Sequence, residues 1–174
     1  MVRSPVRNGY GTVAREDRLA MIDPGLRRAR TGLVVAALAY LVNAAFGTWI
    51  AIRNDIPGRP LGIETGLPVG LDFTVGLGSG LSAPLILLVV LAIFAAMVAL
   101  RGGRRSIFWI GILGGCFLIG MLIEPVLGEA MRGEHGAPVV VIIALNVLLP
   151  IMLIGLAIDT LRRMEPSSAV AADD

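Results

Sequence analysis

Apolar residues fall into four long, nearly unbroken blocks, residues 31–51, 81–100, 107–128 and 138–158, separated by shorter segments that hold most of the charge. Each block is about 20 residues long, the length at which a helix rising 1.5 Å per residue crosses a hydrocarbon core of about 30 Å. The pattern predicts an all-α membrane protein with four transmembrane helices. Six residues join the second block to the third, and about nine join the third to the fourth. Links this short make consecutive helices antiparallel neighbours in an up-down bundle. Pro84 and Pro138 stand near block starts, where a missing amide hydrogen costs nothing.

The flanking segments complete the domain plan. Residues 1–30 mix Arg, Gly, Pro, Asp and Glu without periodicity and read as a disordered basic tail. The transmembrane domain follows over 31–160, and 161–174 form a short tail. The one long connection, 52–80, is too apolar for an ordinary solvated loop and too glycine-rich for a stable helix. A loop resting on the interface is the simpler expectation. A re-entrant element is the alternative, tolerated only where protein or water satisfies its backbone.

Composition sharpens the class. The 174 residues are 56% hydrophobic and 16% charged, with mean hydropathy +0.82, which disfavours a soluble fold. The fifteen basic residues are all arginine, and the abundance of Ala, Gly and Val suggests a GC-rich, bacterial genome. Without lysine there is neither Schiff-base chemistry nor a P-loop lysine. The single cysteine, Cys116, excludes an internal disulfide or dithiol pair and is expected as packing.

Arginine placement sets the orientation. If the amino terminus is cytoplasmic, the inner segments hold twelve arginines and the outer ones only Arg53, Arg59 and Arg132. The positive-inside rule then places both termini in the cytoplasm, in an inner (plasma) membrane. The sequence pI of 9.3 does not imply nucleic acid, because the arginines mark span ends rather than one surface. Attraction of the basic tail to anionic headgroups is the expected effect. The RRAR run and the Ala45-Phe46-Gly47 stretch resemble a signal peptide with a cleavage site. The long preceding tail argues for an uncleaved span, an objection that weakens if translation starts at Met21. Trp49, Phe108 and Trp109 fall at span ends as interfacial anchors.

Few residues inside the blocks carry chemistry. Ala36, Tyr40, Asn43 and Gly47 share one face of the first helix, marking the side turned toward other helices. Asn146 precedes Pro150 by four residues, so its backbone carbonyl loses the usual helical donor, and a kink is expected there. Counting from span ends puts Asn43 and Asn146 near one depth, facing each other. Such a pair is either an interhelical hydrogen bond, worth about 0.6 to 2 kcal/mol, or a polar spot at a broken helix. Glu124, followed by Pro125, is the one formal charge inside a block. Residues 107–123 make roughly 26 Å of helix, so Glu124 sits just inside the outer boundary, where the following proline can end the helix.

Asp55, Glu64, Asp72, Glu129, Glu134 and His135 form an acidic rim. With one histidine and one cysteine no zinc or copper site is expected, and a weak cation site at Glu129, Glu134 and His135 is the alternative to a solvated loop. Gly111 and Gly115, with Ala92 and Ala96, show the small-xxx-small spacing that lets helices approach closely, within the bundle or in a homodimer. No cofactor or catalytic constellation is visible. The sequence expectation is a non-catalytic accessory or structural membrane subunit whose partners are the bilayer and a second copy or another membrane protein. The alternative is a transporter of a small solute, proton or cation using Asn43, Asn146 and Glu124.

Overall fold

A computed structural model describes residues 24–63 and 65–165. The expectations for the tail through residue 23, for a start at Met21, for Glu64 and for residues 166–174 lie outside the described residues. Among the described residues the chain is helical, with only isolated bridges, Pro57 to Ser79 and Ser79 to Ser82, in place of strands.

The first helix, α1, runs Pro24–Arg53 and so begins seven residues ahead of the apolar block. Pro24 supplies a preset φ at the first turn, and Arg27, Arg28 and Arg30 are good helix formers, so the arginine-rich stretch is the helix's first turns. A 3-10 turn, Pro60–Gly62, and a short helix α2, Val69–Val75, interrupt the connection that follows. Helix α3 spans Leu85–Arg101 after Pro84, and α4 spans Arg104–Leu122. The third apolar block does not continue as one helix to residue 128. Pro125 drives Glu124 to an extended conformation (φ −80, ψ 128), and a separate short helix α5, Pro125–Met131, starts there. The last helix, α6, covers Ala137–Arg163 and passes through Pro150 without a break.

Three of these helices, α1, α4 and α6, are long and apolar enough to cross a membrane, and α3 is a shorter apolar helix of 17 residues. Helix α1 packs on α3 and α6, and α4 packs on the same two. Leu33, Leu91, Ile107, Ile110 and Leu153 are fully buried where these four meet. Val42, Phe46, Ile93, Ile119 and Ile151 face outward. Large apolar side chains on every outer face would aggregate in water and are at home in lipid. At the helix ends Arg53 lies 4.3 Å over the exposed Trp49 ring, and Trp109 stacks on Phe94.

The small residues that let helices close up are not all the ones the spacing suggests. Gly111 and Gly114 face α6, where an added Cβ would meet Ala157 at 3.1 Å and the Pro150 carbonyl at 3.1 Å. Ala95 is the buried alanine of α3, whereas Ala92 and Ala96 are exposed, and nothing stands within 4 Å of a Cβ at Gly115. A four-residue repeat of small side chains exists on several faces at once, and only larger neighbours such as Leu91 and Val98 mark the inward one. Cys116 likewise is exposed on α4 rather than packed.

Much of the 54–84 connection is exposed, but residues 78–82 are buried against the helices. Leu81 is fully buried, and its carbonyl accepts a 2.7 Å hydrogen bond from the Asn146 side chain. Asn146 lies nine residues into α6, so the connection descends about 14 Å below the start of that helix. This inserted turn shares the depth that α3, begun only at Leu85, leaves uncovered. Protein groups satisfy much of its backbone, as such a position requires: Ser79 and Ser82 exchange amide-to-carbonyl bonds of 3.0 and 3.1 Å, and the Gly80 amide donates to the Ile56 carbonyl at 3.3 Å.

Candidate functional site

Two asparagines and a carboxylate organise the end of the helices where the connection enters. Asn43 Nδ2 donates to Asn146 Oδ1 at 2.8 Å, and Asn146 Nδ2 donates to the Leu81 carbonyl, so one polar chain links α1, α6 and the inserted turn. Both asparagines are buried, at 6% and 3% exposure, which makes the pairing obligatory. Gly47, one turn beyond Asn43 on the same face, lets the turn come in. A Cβ there would fall on the Leu81 carbonyl oxygen. Gly78, at φ +105 beside the Ser82 carbonyl, provides the reversal above it.

Glu124 is the second organising group. Its Oε2 accepts the Arg59 amide at 3.0 Å, and the neighbouring Leu61 amide donates to the Ile123 carbonyl at 3.1 Å. These bonds fasten the connection to the joint between α4 and α5. A third fastening is internal. Asp72 is fully buried in α2, its Oδ1 accepts the Leu77 amide at 2.9 Å, and its carbonyl accepts the amides of Gly76 and Gly78. Its Oδ2 is buried without a partner among the described residues, as is the hydroxyl oxygen of Ser79.

These groups border two cavities. The first, of about 110 Å³, is walled by Tyr40, Ser79, Leu87, Phe117, Glu124 and Asn146. The Tyr40 and Phe117 rings stack in its wall, with centroids 4.5 Å apart. The second, of about 180 Å³, is bordered by Asp55, Arg59, Glu124, Glu129 and His135. Glu124 belongs to both walls. Asn146 and Glu124 thus share one cavity, while Asn43 stands behind Asn146 and borders an apolar groove with Val42 and Phe46. Pro150 lies one turn further along α6, packed against Gly114, and takes no part in either cavity.

Two pairs form among the rim charges. His135 Nε2 and Glu129 Oε2 are 3.0 Å apart, and Arg132 holds Glu134. Among the described residues no group of three metal-ligating side chains forms. Glu129 and His135 meet, and Glu134 turns instead to Arg132, so the three are not gathered into one group. Ser79, Arg59 and the Leu81 carbonyl are site groups that sequence reasoning missed. The two serines set among glycines in the stretch preceding Pro84 were the available signal, since hydroxyls there need partners once the stretch is buried.

Burial pushes the Glu124 carboxyl above the ordinary glutamate range, the Arg59 amide bond and guanidinium pull it down, and Asp72 and Glu129 push it up. A carboxyl with a raised folded value binds its proton more tightly folded than unfolded. Its contribution is therefore fully present below the unfolded value and is lost as pH rises through the raised one. In detergent, the thermal midpoint should fall as pH climbs above the ordinary glutamate value. Glu124→Gln should flatten that part of the profile, and a Gln variant with the same slope would assign it elsewhere.

No protein-family model, no curated protein and no solved structure matches this chain.

Proposed function

We propose that this chain is a non-catalytic accessory or structural subunit of a bacterial inner membrane, crossing it four times in up-down order with both termini in the cytoplasm. The observation that carries the reading is the use made of the deepest polar side chains. Asn43 and Asn146 spend their hydrogen bonds on each other and on Leu81, holding the connection in the helices. Groups so engaged act as interhelical glue. The fourth crossing is α3 extended by the inserted turn, which together span what 17 helical residues, about 26 Å, do not. Outward-facing apolar side chains supply the lipid contact, and the exposed Ala92 and Ala96, with the open space beside Gly115, are left for a second copy or another membrane protein.

Reporter fusions test the topology. A fusion after Leu161 should be active with a cytoplasmic reporter, and one within 65–68 with a periplasmic reporter. The reverse pattern would refute the orientation. Purification in mild detergent should yield a dimer or a co-purifying membrane protein, and a stable solitary monomer would overturn the subunit reading.

One observation favours permeation of a small solute, proton or cation as a second reading: Glu124 and Asn146 line the same cavity. Flux in reconstituted vesicles that falls in both Glu124→Gln and Asn146→Leu variants would establish it. Absence of flux, or flux indifferent to both, would remove it.

A further inference from the structure

We propose that the 110 Å³ cavity beneath the connection is a binding site for a small organic monovalent cation, a primary ammonium on a short alkyl chain, held by Glu124 and Ser79. The inference goes beyond the subunit reading and requires no flux.

Charge balance leads to a cation. Asp72 is fully buried with one carboxylate oxygen unpartnered among the described residues, Glu124 is half-buried, and the Arg59 guanidinium bears on Glu124. Asp72 and Glu129 bear on it with the same sign as its own charge. When these acids are ionised, this end of the fold holds more negative than positive charge in a poorly solvated place. Such an excess is relieved by a bound cation or by a proton.

The donors and acceptors fit an ammonium. Glu124 Oε2 takes the Arg59 amide, and no described donor reaches Oε1. Ser79, 4% exposed, is one of the residues lining the cavity, and its buried hydroxyl has no partner among the described residues. An ammonium donates to both, closing an otherwise costly unsatisfied group. A hard metal ion would want several carboxylate or carbonyl oxygens, and no cluster of metal-ligating side chains exists among the described residues.

Size and lining select the organic part. At about 30 Å³ per water-sized group the cavity holds roughly three or four non-hydrogen atoms, far below a drug-sized ligand. The stacked Tyr40 and Phe117 rings, with Leu87, give an alkyl chain an apolar wall and the ammonium an aromatic neighbour. Entry is assigned to the second cavity, which shares Glu124 with this one. Asp55 and Glu129 border that second cavity, and acids at an entrance concentrate cations.

The test uses the full chain in detergent with ethylammonium as probe and ethanol as a neutral comparison, read by saturation-transfer NMR and by thermal shift. Ethylammonium should bind and stabilise, and ethanol at the same concentration should not. Glu124→Gln should weaken binding roughly tenfold or more and Ser79→Ala by about threefold, each with the unliganded melting and circular dichroism of a folded protein. Should the Gln variant fail to fold, the Ser79→Ala response and competition with protons carry the test. Binding must weaken as pH falls, with Arg59, Asp55, Asp72, Glu129 and His135 as the other charged or titratable groups facing Glu124. No ethylammonium binding at tens of millimolar, equal binding of ethanol, displacement by sodium at equal concentration, or full affinity in Glu124→Gln would each overturn the proposal.

Discussion

Asn146→Leu should destabilise the protein by about 2 to 4 kcal/mol, because it orphans two buried groups at once. The Asn43 amide loses its acceptor and the Leu81 carbonyl its donor, both in a place that water does not reach easily. Asn43→Leu alone breaks one bond and leaves the Asn146 bond to Leu81 standing, so it should cost less. The double variant should be more stable than the sum of the singles predicts, since it removes the stranded asparagine along with its partner. A denaturation cycle in detergent checks this. Strict additivity would mean that the two side chains do not act as a pair.

Gly47→Val should produce the second large effect, through shape rather than polarity. A side chain at this position meets the Leu81 carbonyl oxygen and lies 3.3 Å from Ile142. The obstacle is backbone, so the inserted turn must rise, taking the Asn146 bond with it. The cost is at least the 1 to 3 kcal/mol typical of overpacking, plus that of the lost hydrogen bond. The turn at residues 79–82 should become far more susceptible to hydrogen exchange and proteolysis while the α4 and α6 amides stay protected. An unchanged exchange pattern across 79–82 would show that α1 can tilt to admit the side chain.

Much of this architecture is legible in the residues, and the illegible part has a common cause. Proline marks element ends by chemistry that needs no tertiary context, which is why Pro84, Pro125 and Pro138 coincide with helix starts at Leu85, Pro125 and Ala137. The Asn43–Asn146 meeting follows from counting 1.5 Å steps inward along two helices. By contrast, the glycine-rich stretch before Pro84 has no periodicity to read. Its insertion depends on partners 65 residues later: Asn146 for Leu81 and Glu124 for Arg59. That Ala92 and Ala96 stand outside the bundle interior is unreadable in the spacing for a related reason. Small residues recur around the helix, and which stripe turns inward depends on neighbours in other helices.

The bond between Leu81 and Asn146 also dictates the order in which the chain can mature. Ribosomes deliver α6 last, so while α1 and α3 are already leaving the insertion channel, the Leu81 carbonyl has no mate. An unpaired carbonyl is unwelcome in hydrocarbon, and the segment must wait near water until the final helix arrives. Seating the turn is consequently the closing act of biogenesis. A nascent chain halted before residue 137 should keep residues 76–84 open to a water-soluble protease, and the full-length product should shield them.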